Sequence, residues 1–460
     1  MASTPTSGHI LVSSEEWTMA ELRDDNGLEI STSSEAARAC IDAATLCLHA
    51  GSCEVRVWID AALGHDPRCA AARCIDTGAA LLTAEHLDDP ALLASLARLE
   101  DTLGHANDRE RCHAEAARAW CGGDFAQALE TYNRLLKSYP RDSLALQLAH
   151  ALDFRLGNRA MLRDRIANVL PRWDSTMPAF GHVLAMCAFG LEECGDYDGA
   201  ESAARRSLDL IPDNAPAMHV VAHVMEMQGR TREGIDWLQR LRGEWSRNAA
   251  FAVHLAWHLA LFRLDNDEPD AALSIYDRAL VPTKRSSMAA LVDASALLWR
   301  LDLRGVRVQR RARQVARHWS RKRLSGVRAF NLVHATAAFA AARHHRAASQ
   351  VIGLLRNDPA TRRVNRPMDL ALAIPVCEAI AAFARGKYAL AVEKINVVRA
   401  LAADCGGSIA QCDLIHLTLL EAALRSRRMP LAHALATERA ARKPRSLLNR
   451  WLFARAATAA

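Results

Sequence analysis

One motif recurs along this 460-residue chain, and its spacing constrains the fold more than any other feature. The stretches GDFAQALETYNRLLKSYP (123–140), GDYDGAESAARRSLDLIP (195–212) and GKYALAVEKINVVRALA (386–402) share a glycine, an aromatic two positions on and an alanine three further. Weaker copies begin at Gly229, Asp267, Arg343 and Arg427. The aligned small residues are Ala128, Ala200, Gly234, Ala272, Ala348, Ala391 and Ala432, separated by 72, 34, 38, 76, 43 and 41 residues. Those steps are one or two periods of a helix-turn-helix repeat, which runs over roughly 34 to 43 residues.

In each copy the motif reads as the second helix of a pair. The small residue lets that helix approach its partner, the aromatic fills the gap between them, and Pro140, Pro212, Pro282 and Pro444 end the helix because proline cannot continue it. One such unit cannot bury its apolar face alone, so stacking supplies the core and the stack curls around a concave inner surface. Composition agrees, with half the residues hydrophobic, few Val-rich alternating runs, and 22 Gly and 15 Pro to punctuate the chain. The expected fold class is all-α.

The Gly-Asp-aromatic, Ala and Pro positions resemble the tetratricopeptide repeat (TPR). The resemblance implies a right-handed superhelix in which the first helix of each pair lines the groove. Residues 1–35 are then expected to be a flexible N-terminal segment, partly disordered or capping the first helices, 36–110 N-terminal helical repeats, and 111–460 the TPR-like superhelix with its concave groove. The first 35 residues lack a basic stretch followed by an apolar one, which argues against a secretory leader. No uninterrupted apolar run reaches the roughly 18 residues of a membrane span. Twelve cysteines without a C-x-x-C pair suit a reducing cytoplasm better than a disulfide frame or a zinc knuckle.

Two stretches carry candidate chemistry. HVVAHVMEM (219–227) and HLAWH (254–258) each place histidines four apart, so His219 and His223 share one helix face with Glu226, and His254 and His258 share another. With 18 histidines, on the order of one such pair arises by accident, but these two fall in adjacent repeats. Counting back from the motif residues places His182, Glu193, His219, His223, Glu226, His254, His258 and His334 on the face that the resemblance assigns to the groove.

Two uses of that face compete with simple packing beside Trp237, Trp245 and Trp257. A His/Glu/Asp-lined groove can bind a peptide or a small polar ligand through hydrogen bonds, with His182, His334 and Trp257 as contacts. Alternatively, His219, His223, His254 and His258 can ligate a divalent transition metal (Zn, Fe or Mn), with Glu193, Glu226 or Asp293 as base or further ligand in an enzyme acting on small molecules. The glutamate lies outside each histidine pair, so the H-E-x-x-H protease motif is absent.

Ten Arg and Lys crowd residues 304–328, interleaved with Val306, Val308, Val315 and Trp319. That spacing fits an amphipathic helix with a solvated basic face better than a nucleic-acid surface, though an acidic partner would bind there. Ser408 with Gln411 reads as a capping box after the GGS of 406–408.

Between about 110 and 420 the chain also resembles the tetratricopeptide repeat protein 38 family. The matching segments are AFGLEE (188–193), HVVAHVMEM, HLAWHLALF (254–262), YD (276–277), LVDASALLWRL (291–301), FNLVHA (330–335) and GGSIAQCD (406–413). The resemblance carries Glu193, His219, His223, Glu226, His254, His258, Asp293 and His334 over as the signature polar residues; it brings no established reaction. Ala256 stands where an aromatic is expected and Leu332 where an aspartate is, which removes a carboxylate from beside His334.

Overall fold

The computed structural model describes residues 22–248, 250–404 and 406–458. Helix-turn-helix pairs follow one another from Asp108–Gly122 with Phe125–Ser138 to Ile409–Arg425 with Met429–Arg442. The two double-length steps of the motif hold unmarked repeats: Ser143–Leu156 with Arg159–Val169, and Met288–Leu303 with Gln309–Trp319. The described residues are an all-α, TPR-like solenoid, as the period predicts.

The Gly-Asp of the motif has a plain local cause. Gly123 (φ 81°) and Gly195 (φ 85°) close the preceding helix in the left-handed region, and the next residue, Asp124 or Asp196, caps the following helix by accepting from the backbone N–H of Gln127 or Gly199. In the weaker copies Asp267, Arg343 and Arg427 take the same positive φ, at 62°, 62° and 57°, without being glycine. The aligned alanines are fully buried or nearly so, and at Gly234 an added Cβ would lie 2.2 Å from the Phe262 ring. The smallness read from the motif is therefore a close helix approach. All the described cysteines are free.

The structure departs from an open horseshoe. The Ile409–Arg425 helix packs on Ala215–Met227 and Met288–Leu303, and Leu447–Thr458 packs on Ala252–Asp265, so the inner faces of the middle repeats are covered by the C-terminal ones. The N-terminal helices fold back as well. Asn248 donates to the Ala50 carbonyl at 2.7 Å, Lys322 pairs with Glu85 at 2.9 Å, Arg323 pairs with Asp88, and the Met288 N–H donates to Glu85 at 2.8 Å.

Residues 22–34 are tied to this body rather than loose. Arg109 and Asn107 both donate to the Glu29 carbonyl, and the Asp25 N–H donates to Asp42. The rest of the expected flexible segment, 1–21, lies outside the described residues. In the basic segment only Gln309–Trp319 is helical, with Val315 and Trp319 buried, and Arg304, Arg311, Lys322 and Arg323 are spent on Asp267, Asp277, Glu85 and Asp88. Among the described residues one helix, Pro367–Ala384, is long and apolar enough to cross a membrane, but half of it is buried inside the solenoid and it carries Asp369 and Glu378.

Candidate metal centre

Four inner helices bring the site together. Phe180–Glu193 contributes Glu192 and Glu193, Ala215–Met227 contributes His219, His223 and Glu226, Ala252–Asp265 contributes His254 and His258, and Met288–Leu303 contributes Asp293. The two histidine pairs converge: one nitrogen from each of His219, His223, His254 and His258 lies within 4.8 Å of the others. His223 and His258 are fully buried, His219 is nearly so, and His254 retains 20% exposure of its side chain.

Carboxylates stand behind two of these rings. Asp293 Oδ2 accepts from His254 Nδ1 at 2.9 Å, and Glu226 Oε2 accepts from His258 Nδ1 at 2.9 Å. With both Nδ1 atoms engaged, the two Nε2 atoms face each other at 3.3 Å. Two nitrogens on a tetrahedral ion, each about 2.0–2.1 Å from it, stand about 3.3–3.4 Å apart. The Nε2 separation is therefore that of neighbouring ligands, and carboxylate-backed imidazoles are the usual support for such ligands.

The remaining donors are unspent. His219 Nε2 and both nitrogens of His223 are buried with no hydrogen-bond partner, as are both carboxylate oxygens of Glu192. Glu192 Oε2 lies 3.3 Å from His223 Nδ1 but is poorly aligned for a hydrogen bond. Glu193 is held from two sides, by Arg159 Nε at 3.0 Å and by the Ile409 N–H at 3.2 Å. That N–H opens the Ile409–Arg425 helix, where Ser408 and Gln411 form the expected capping box.

Burial sets the protonation states. It drives His219 and His258 well below the ordinary histidine value, helped by the neighbouring imidazoles and, at His258, by Lys443 and Arg300, and holds His223 at about 4 against the opposing pull of Glu193 and Glu226. Burial would lower His254 too, but the Asp293 carboxylate overcomes it and raises that ring, so the one proton that fits between the facing Nε2 atoms belongs to His254. Burial first and the nearby Glu226 second push Glu192 up to about 8; burial first and Glu192 second do the same to Glu193. His219, His223 and His258 are thereby held in the neutral form that ligates a metal, and His254 would release its Nε2 proton as an ion binds.

Other expected contacts fall outside the cluster. His182 packs against His49, ring centroids 5.5 Å apart, among the N-terminal repeats. His334 donates through Nδ1 to the Phe330 carbonyl and, with Leu332 buried in the core, has no carboxylate behind it. Trp257 is completely buried, stacked on His254 at 5.2 Å with Arg300 over its ring at 5.6 Å, so it walls the cluster rather than offering a face to a ligand. Arg159 and Lys443 were not legible from the motifs; Lys443 reaches to 3.7 Å from Glu226 out of the last repeat.

These features define a TPR-like α-solenoid with a buried four-histidine cluster. No family model matches the chain. A stretch covering 25% of it is 31% identical, over 117 residues, to the cellulose synthase 2 operon protein C of Komagataeibacter xylinus, but this spans only 9% of that protein. Among solved structures the chain is similar, at 13% identity in each case, to the Naa15/Naa10 complex bound to HypK-THB and to the TPR domain of P58(IPK). The first match covers 87% of this chain and 62% of that one with a TM-score of 0.27; the second covers 85% and 98% with a TM-score of 0.19.

Proposed function

We propose that the chain binds a first-row transition metal ion, zinc or iron, through His219, His223, His254 and His258, and uses it in acid-base chemistry on a small molecule. The observation that carries this reading is the convergence of four imidazole nitrogens within 4.8 Å, with two of the rings oriented by buried carboxylates. Imidazole donors suit zinc, iron, copper and nickel and not the hard oxygen-seeking cations. Burial favours an ion over a peptide as occupant, because the Ile409–Arg425 helix covers the face that a peptide would need.

In this reading Asp293 and Glu226 orient ligands, and Glu193, with Glu192 beside it, is the acid-base candidate next to His223. When bound, the ion would supply Lewis acidity, and a metal-activated water would give a nucleophile near neutral pH. Membership of the tetratricopeptide repeat protein 38 family and a cytoplasmic location belong to the same proposal; the family resemblance rests on the segments quoted above.

The test is elemental analysis of untagged protein by inductively coupled plasma mass spectrometry, beside a His219→Ala, His223→Ala double variant of confirmed helicity. Near-stoichiometric metal in the natural chain and none in the variant is the expected result. No metal in the natural chain, even after anaerobic loading with iron or zinc, would refute the reading.

A further inference from the structure

His223 is the hinge of a second arrangement. Its ring stands beside two donor groups: the rings of His219 and His258, at centroid distances of 4.3 and 4.5 Å, and Glu192, whose Oε2 is 3.3 Å from Nδ1, with Glu193. Donor atoms of Glu192, Glu193 and His223 also lie within 4.8 Å of one another, and all three residues are buried. A buried polar side chain normally finds a hydrogen bond, and unpaired carboxylate oxygens are costlier still. Here neither nitrogen of His223 and neither oxygen of Glu192 makes a well-aligned hydrogen bond, although Glu192 Oε2 stands 3.3 Å from His223 Nδ1 and its carboxyl lies against that of Glu193.

We propose that Glu192, Glu193 and His223 Nδ1 form a second cation site, joined to the four-histidine ion through the His223 ring. The inference rests on the four-histidine reading above. His223 would give Nε2 to the first ion and Nδ1 to the second, so the ring loses its N–H proton to solvent as the second ion binds. Adding the span of the ring to two metal–nitrogen bonds of about 2 Å puts the ions about 6 Å apart.

The two positions differ in what they leave open. Four imidazoles leave an ion only a fifth position for water or substrate, whereas two carboxylates and one imidazole leave one of the four tetrahedral positions open. With both ions bound, Glu192 and Glu193 would be ligands of the more open second ion, and the acid-base part that Glu193 has beside the four-histidine ion alone would pass to water there. Arg159 Nε and the Ile409 N–H each hold one Glu193 oxygen from outside, which fixes that carboxylate and leaves a lone pair on each oxygen for the cation.

The experiment is equilibrium dialysis of the full chain against Co(II), with bound cobalt counted by mass spectrometry and electron paramagnetic resonance recorded on the same samples. Two ions per chain are expected in the natural protein, with a signal diminished by coupling through the bridge. Glu192→Gln should hold one ion and show the full signal of an isolated centre, and Glu193→Gln, of confirmed helicity, provides a second variant if the first does not fold. One ion in both natural and variant chains overturns the second site and leaves the four-histidine reading standing. Two ions retained in both glutamine variants place the second ion elsewhere and also overturn it. No cobalt in the natural chain removes the four-histidine site itself.

Discussion

Replacing Asp293 with asparagine isolates the contribution of orientation from that of ligation. Asp293 Oδ2 is 2.9 Å from His254 Nδ1, and its side chain is only 4% exposed, so water cannot take over the contact. In Asp293→Asn the amide oxygen can still accept from Nδ1, and the amide NH2 falls where Oδ1 now lies buried without a partner. The ring therefore keeps its place and loses the charge behind it. A charge-assisted hydrogen bond is roughly twice as strong as a neutral one, a difference of about 1.5 kcal/mol. At 1.4 kcal/mol per tenfold, metal affinity should fall about tenfold, within the range of about 10- to 100-fold that such partners carry. Competition against a chromophoric chelator at pH 7.5 reads this directly, with His254→Ala as the variant that loses the ligand outright. An affinity for Asp293→Asn within twofold of the natural chain, while His254→Ala binds far more weakly, would refute the argument that the carboxylate tunes this ring.

Three further outcomes follow from the same structure. Gly234→Ala drives a Cβ into the Phe262 ring on the helix that carries His254 and His258, and should lower stability by about 1–3 kcal/mol in chemical denaturation; an unchanged midpoint would mean the helices separate freely. Arg427→Gly relieves a left-handed residue at a helix-pair turn and should raise stability by about 1 kcal/mol, seen as a higher thermal midpoint. The metal-free protein should be most stable near pH 6.5. Burial holds His182, His223 and His334 at about 4, so the unfolded chain takes up protons first as pH falls from about 6.5, and each ring accounts for up to about 3 kcal/mol lost by pH 4. Glu192 and Glu193, raised to about 8, work the other way: their stability is complete below about 4.5 and declines as pH rises to 8. Denaturation at pH 4.5, 6.5 and 8 checks the dome, and a monotonic profile would contradict it.

Much of the candidate site was legible because helical periodicity is local. Four-residue spacing alone puts His219 with His223, and His254 with His258, on common faces, and the motif count puts Glu226 and Glu193 there too. The same count selects Glu192, one position before Glu193, so its role could have been found without coordinates. Asp293, carried by the family resemblance, does sit at the cluster, while His182 lies at the far end of the helix that carries Glu193 and His334 lies at another repeat, both on the predicted face. Sharing a face in a solenoid does not mean meeting, since the face extends over the whole stack.

What the sequence by itself determined was the repeat: its period, the Gly-Asp turn, the small residue at each close helix approach and the proline stops. Each of these is set within one unit by backbone sterics and capping. Only the tertiary structure decided that the solenoid closes on itself. The Ile409 N–H comes to Glu193, Lys443 comes to Glu226, and the Glu85–Lys322 and Asp88–Arg323 pairs join the two halves. Closure depends on a small rotation per repeat summed over the stack, and no single unit encodes that sum. It turns an inner face that reads as an open groove into a buried, water-poor cluster where four imidazoles face one point.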